Sequence, residues 1–580
     1  MKSFVTAAAL AALASADGLL FNSTMFEESD AMPQGSIKRN EFGMLVEEMI
    51  YELENHVHKK ISPPLEPYAH DTAHQVEHIQ KMTDLHDKIL NDEVPIYTCT
   101  NRETNYDPKN AGSFFPVLSA ALTMDNATGS YEGSCFQQID FSLSKTSDTT
   151  FDVDVTHKGK KKMLCEETML FANTEMQHFE TFMFPGTTKL SFTLKDQDAV
   201  TDFNFGGIKV FDICDGYKDL LVSVLKFLEA FAGGFKDNDL PIIGRRIPKY
   251  QLKQNLVFLK QTMDLDIEPR EITKVEIDPD LIQSGDFLAV NRMDGLDPLI
   301  MYGTGSMIGH SCMALRMDGE LYIVESYGGD FRPNKGIIRT KWADWIHQLE
   351  ISDCWVSWLP LREEIREKFN EEAAIEFFNQ TQGLPYGIHN FLYGWIDTAT
   401  DNWPPLLAQH IVPILFKVYE DLTYQGAYNI FTEGINKRLG TEHKSVSEVA
   451  AIAAEQGMTL QDVMAMVEMD GWIYDGQVPR DGLSFVCSAY VAAMYKHAGL
   501  FDDLDVQSVE FTPKDIYTLN FFQSGSRPQA CVDADPDLEW CQLLGSHRMP
   551  LFYFNTVTPY AHMNEKCPVN WPTYAREEGC

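Results

Sequence analysis

Three residues in the second half of the chain have the types that nucleophilic acyl transfer needs: the thiol of Cys487, the imidazole of His310 and the carboxylate of Glu325. In such chemistry a thiolate attacks a carbonyl, an imidazole carries the proton, and a third polar group holds the imidazole in one tautomer. Cys487 opens a stretch with helical spacing, in which Val486, Tyr490, Ala493, Met494 and Ala498 fall on one apolar stripe. Ser484 is the expected N-cap and Gly499 the expected stop. A thiol in the first turn sits at the positive end of the helix dipole, which favours thiolate over thiol. Taken alone, the stretch is also explained by a small buried residue or by half a disulfide.

His310 and Glu325 gain meaning from the turn between them. Asp318-Gly319 is the most favoured type of two-residue hairpin loop. If it closes the hairpin, Met317 faces Glu320, Cys312 faces Glu325 and His310 faces Tyr327. Alternation then puts His310, Cys312 and Glu325 on one face. Glu325 becomes the diagonal neighbour of His310, at a backbone distance of roughly 7–8 Å that the two side chains can bridge. The glycine-rich loop Gly303 to Gly309 lacks the Lys-Ser/Thr ending of a phosphate loop and the glycine pattern of a serine nucleophile elbow. It is read as a flexible approach to His310.

Gly285-Asp286-Phe287-Leu288, then Gly309-His310, then Val324-Glu325-Ser326, then a helix opening Cys487-Ser488, resembles the circularly permuted NlpC-type papain-like hydrolases. That group includes bacterial peptidase-like proteins and lecithin–retinol acyltransferase relatives. Gly383-Leu384-Pro385-Tyr386-Gly387 and Phe511-Thr512-Pro513-Lys514-Asp515 are weaker echoes of the same pattern. The resemblance covers about residues 280–520. It implies an α+β domain with an antiparallel sheet packed on a nucleophile helix. It also implies Cys487 as nucleophile, His310 as general base and Glu325 as orienter. Tyr386 would line the site, and the Cys487 N–H would face the oxyanion. No cofactor and no metal is implied. The expected activity is hydrolysis of an amide, peptide-like bond through a thioester. A lipid acyltransferase or phospholipase of the same fold is the alternative enzyme, so the substrate partner is a peptide or a lipid. A non-catalytic, disulfide-stapled binding protein is the alternative from another class.

The elements that must position these residues belong to a longer chain. Residues 1–16 read as a signal peptide, with Lys2, an apolar core and Ala14-Ser15-Ala16. Residues 17–94 read as helical, 95–215 as a β-rich, disulfide-stapled sandwich or barrel, and 216–279 as a helical connector. Residues 280–580 form the papain-like region, with a helical insertion at 392–478 and a cysteine-bearing tail. Strands are expected near 114–124, 133–143, 150–157, 163–171, 182–195 and 200–214. His70, His74 and His78 share one helix face, a spacing open to zinc, but the solvated-face reading is preferred. Trp342, Trp345, Trp355 and Trp358 could face lipid and are read as core.

The net charge of −38 argues against nucleic acid, because a phosphate-binding surface needs clustered Lys and Arg. No run reaches the length of a membrane span. The 11 cysteines leave an odd thiol. Those at 99, 135, 165 and 214, and those at 531, 541, 567 and 580, could each close two bridges, leaving Cys312, Cys354 and Cys487. Sequons at Asn22, Asn126 and Asn379 mark possible glycan sites. These features together suggest a secreted or lumenal protein.

Overall fold

The computed structural model describes most of residues 117–213, 246–387, 431–474 and 485–560, together with Cys99. The expected leader, Asn22, the histidines at 70–86 and the apolar run near 220–231 lie outside these residues. So do Cys214, Cys567, Cys580 and Ser484. The fold is mixed α and β with antiparallel sheets.

The β-rich region folds as two four-stranded sheets. One is ordered β1 (Val117–Leu122), β8 (Ile208–Ile213), β5 (Glu167–Ala172), β6 (Gln177–Phe182). The other is ordered β2 (Thr128–Tyr131), β3 (Phe136–Lys145), β4 (Thr150–Lys160), β7 (Gly186–Thr193). Both contribute to one core, with Phe141, Val153 and Val155 from the second sheet beside Leu122, Met169, Phe171 and Val210 from the first. The architecture is therefore a sandwich rather than a closed barrel. The sequence pattern passes over β6, of which the expected 182–195 strand takes in only Phe182, and over β2, which has only four residues and no buried position. A Cys135–Cys165 disulfide ties the second sheet to the segment entering β5, and Asn126 is exposed in the turn between β1 and β2.

The C-terminal region is built on a six-stranded antiparallel sheet. Its order is β12 (Gly336–Lys341), β11 (Glu320–Tyr327), β10 (His310–Met317), β9 (Phe287–Asn291), β13 (Trp355–Leu359), β14 (Cys541–Leu544). Both faces are covered. Met313, Leu315, Met317 and Val324 share a core with the helix Cys487–His497. Cys312, Ala314, Leu321 and Ile323 share another with Trp345 and Leu349 of the helix Trp342–Ile351. Alternation along β10 separates the two sets.

The helix Cys487–His497 carries more than a stripe: every residue from Cys487 to Tyr495 is buried. It packs on β10 and β11 and is covered by the helices Glu371–Thr381 and Pro513–Thr518. A helix apolar all round has no solvent face to offer. Its N-cap is Val486, with no side-chain capping bond, rather than Ser484. Left without a capping side chain, its first N–H groups are available to other partners. The C-cap is Ala498, and Gly499 follows with φ of +82°, the left-handed stop its sequence position suggests.

The tail after Leu519 is part of the sheet. β14 pairs with β13, and Val275 donates to Leu543 O at 2.8 Å. A buried Arg270–Asp535 ion pair at 2.6 Å ties the tail to the segment that precedes the domain, and the Cys531–Cys541 disulfide closes a loop within the tail. Cys99 is also disulfide-bonded, whereas Cys312, Cys354 and Cys487 carry thiols. Among the described residues no helix is long and apolar enough to cross a membrane.

Candidate active site

The hairpin forms in the register set by its turn. Asp318 and Gly319 have φ of +54° and +78°, the signs a type I′ turn requires. Pairing runs from Met317↔Glu320 to Met313↔Val324. Beyond Met313 the strand continues along β9, with His310 opposite Val290. Glu325 comes to lie beside Cys312, whose Sγ donates to Glu325 Oε2 at 3.4 Å.

His310 stands at the first position of β10. Its Nε2 bonds Glu325 Oε2 at 2.7 Å. Glu325 is fully buried, and its second oxygen, Oε1, accepts from Trp345 Nε1 at 3.1 Å. Donors on both of its oxygens fix the orientation of the carboxylate. Tyr327 meets the His310 ring edge-on with centroids 5.8 Å apart, which limits rotation of the imidazole. Gly309 lets the Asp297 side chain pack close beside the start of β10: a Cβ there would fall 2.1 Å from Cγ of Asp297.

Cys487 enters from the other side of the sheet. Its helix body packs on the face opposite to Glu325, and the two faces meet at the end of β10. There the Cys487 side chain hydrogen-bonds His310. Nε2 being engaged by Glu325, Nδ1 is the ring nitrogen that remains for the thiol. Backbone N–H groups of Ser311 and Ser488 also point at the sulfur. Burial pushes the thiol up, but the His310 hydrogen bond and charge, with the two N–H groups, outweigh it and hold Cys487 below the ordinary thiol value. Burial pulls His310 down, yet the sulfurs of Cys312 and Cys487 reverse this and raise it well above the ordinary histidine value. Cys312 donates its S–H to Glu325 and also lies against His310, where it contributes more than Cys487 to raising the imidazole; Cys487 is the sulfur held below its ordinary value beside that ring.

Tyr386 reaches the same sulfur. Its backbone bridges Phe485 in parallel, just before the helix, and Gly387 N donates to Phe485 O at 2.9 Å. Its hydroxyl bonds the Cys487 side chain and accepts from the Cys487 N–H. Burial, then the charge of Cys487, raise its pKa well above the ordinary tyrosine value, so it keeps its proton. The ring lies over Gly328, where a Cβ would approach it to 2.9 Å.

All four residues singled out by the sequence therefore meet at one point. Two others were passed over. Trp345 reads as core by composition and is buried, but its indole N–H anchors Glu325. Trp355 and Trp358 are core as expected, and Trp358 Nε1 bonds the buried Asp286 at 2.8 Å. Asp297 is the second omission. It accepts from Arg292 N at 2.6 Å and lies close enough to His310 to feel its charge. Burial, then repulsion from Asp294, raise Asp297 well above the usual carboxylate range. An acidic residue in the first turn of a helix gave no signal of this. The third sequon residue, Asn379, is exposed on the helix Glu371–Thr381. Comparison with family models, with curated proteins and with solved structures returns no match.

Proposed function

We propose that this protein is a cysteine hydrolase acting on an amide, peptide-like bond through a thioester, with a permuted papain-like domain of the NlpC type. One observation carries the reading: His310 is hydrogen-bonded to Glu325 on one side and to Cys487 on the other. A buried cysteine with a purely packing role does not need that relay, whereas a nucleophile–base–orienter set does.

In this mechanism His310 Nδ1 takes the thiol proton, and the imidazolium is stabilised by Glu325. The Cys487 thiolate attacks the substrate carbonyl carbon, forming the C–S bond and moving the π pair onto oxygen. That oxygen is received by the Cys487 N–H and the Tyr386 hydroxyl, which part from each other to bind it. Collapse breaks the C–N bond as His310 protonates the leaving amine. Water, deprotonated by His310, then attacks the thioester carbonyl; collapse breaks the C–S bond, releases the carboxylic acid and leaves Cys487 paired with the protonated His310. The expected compartment is the secretory lumen or the exterior, which the Cys135–Cys165 and Cys531–Cys541 disulfides suit.

The test is to capture the acyl-enzyme from parallel panels of peptide amides and phospholipids. A mass increment on Cys487 from the amides supports the proposal. An increment from phospholipid alone moves the substrate to lipid ester. Full turnover by Cys487→Ala removes both.

A further inference from the structure

Among the described residues, His310, Cys312 and Glu325 place one donor atom each within 4.8 Å of one another. Two of the separations are 2.7 Å, from Nε2 to Oε2, and 3.4 Å, from Sγ to Oε2. Zinc bonds imidazole nitrogen and carboxylate oxygen at about 2.0–2.2 Å and thiolate at about 2.3 Å, so its tetrahedral ligands stand roughly 3.5 Å apart. Small side-chain rotations bring the three donors to that spacing. The set is one soft, one intermediate and one hard donor, a combination zinc accepts and magnesium or calcium does not.

The surroundings are those of a ligand set. Glu325 Oε1 is held by Trp345 Nε1 at 3.1 Å, so one carboxylate oxygen is fixed while the other is presented to the cluster. His310 also hydrogen-bonds Cys487; with Nε2 on the metal, Nδ1 is left for that contact, the outer one that a ligating histidine normally keeps. Cys312 and Glu325 have no solvent exposure, and His310 is partly exposed, which leaves the imidazole side as the way in. Three protein ligands leave a fourth position for water.

We propose that His310, Cys312 and Glu325 form a binding site for a zinc-class divalent cation, and that occupation switches the enzyme off. On binding, the Cys312 S–H bond and the His310 Nε2–H bond both ionise, the two protons go to solvent, and the sulfur pair bonds the metal. The His310 Nε2 lone pair and Glu325 Oε2 complete the set. His310 is then a neutral imidazole with its proton on Nδ1, so it has no lone pair with which to accept the Cys487 proton. The inhibitory half of this inference rests on His310 being the base in the proposed mechanism; the binding half does not.

The full chain with its disulfides intact is titrated with cobalt(II), and thiolate-to-cobalt absorption is read in wild type, Cys312→Ser and Cys487→Ala. The proposal requires a band at one equivalent that persists in Cys487→Ala and is lost in Cys312→Ser. Any other pattern overturns the site, including a band that follows Cys487. Alkylation of Cys487 by iodoacetamide at mildly acid pH is then followed with and without one equivalent of zinc. Loss of the imidazolium partner by one pKa unit slows it by about tenfold in wild type. Cys312→Ser is expected to show no slowing, and equal slowing there overturns the inhibitory role. If Cys487 proves unreactive without metal, the hydrolase mechanism fails while the cobalt spectra still decide the site.

Discussion

Replacing Glu325 by Gln keeps the shape of the side chain and removes its charge. Glu325 is fully buried and accepts from His310 Nε2 at 2.7 Å, Trp345 Nε1 at 3.1 Å and Cys312 Sγ at 3.4 Å. The shortest of these is charge-assisted when His310 is protonated. Such bonds contribute about 1.5–3 kcal/mol net, against about 0.5–1.5 for neutral ones. With water excluded from Glu325, the upper part of the range applies. A loss of about 1.5–3 kcal/mol in the imidazolium state lowers the His310 pKa by about 1–2 units. Proton transfer from Cys487 then becomes less favourable, and the thiol pKa rises by a similar amount. The amide worsens this, because Trp345 holds its oxygen and the NH2 is left facing His310 Nε2. The ring must accept there and carry its proton on Nδ1, toward Cys487, which is the wrong tautomer for a base. The assay needs no substrate: the rate of iodoacetamide addition to Cys487 is measured from pH ~5 to ~9 in wild type and Glu325→Gln, bracketing the unperturbed thiol pKa. The acid limb should fall by roughly 10–100-fold, with the two curves converging at high pH. Superimposable profiles would show that Glu325 does not support the His310–Cys487 pair, and the argument for an orienting carboxylate would be lost.

Other expectations follow from the same geometry. Tyr386→Phe removes one oxyanion donor of the proposed mechanism and should lower kcat by about 10²–10³-fold, while the alkylation rate of Cys487 changes far less. Asp297 holds its proton in the folded state at pH values where the unfolded chain has lost it. Stability is therefore forfeited as pH rises from the ordinary carboxylate value of about 4 toward the raised folded value. Thermal melts of Asp297→Asn should show a gain over wild type that grows across that window, and a gain independent of pH would refute the assignment. Asp535→Ala strands the buried Arg270 guanidinium and should cost about 3–5 kcal/mol in denaturant unfolding. Limited proteolysis should then begin in the tail that carries β14.

The hairpin is legible in the sequence because two independent signals agree. Alternation along Met313–Met317 and Leu321–Glu325 gives the faces, and Asp318-Gly319 gives the register. A one-residue slip would have moved every buried side chain to the other face. Cys487 is legible from local pattern alone, since an N-terminal helical position needs no knowledge of tertiary contacts. What local pattern cannot convey is which side of the sheet a helix covers. The body of the Cys487 helix packs opposite Glu325, and the thiol meets His310 only because β10 ends there. Trp345 and Asp297 were missed for a related reason. An indole twenty positions from Glu325 and a carboxylate thirteen positions from His310 acquire their roles from packing, and their residue types are common in cores and helix starts. β14, four residues long and entirely buried, has no alternation to distinguish it, and its place at the sheet edge comes from pairing across nearly two hundred residues.

The central claim is that Cys487 is a thiolate made by His310. The most direct measurement is mass-spectrometric mapping of sites modified by iodoacetamide near pH 6, in wild type and in His310→Gln. The account predicts one dominant adduct, on Cys487, that is nearly abolished when the imidazole is replaced. An unmodified Cys487 in wild type, or an adduct that forms as fast without His310, would contradict it.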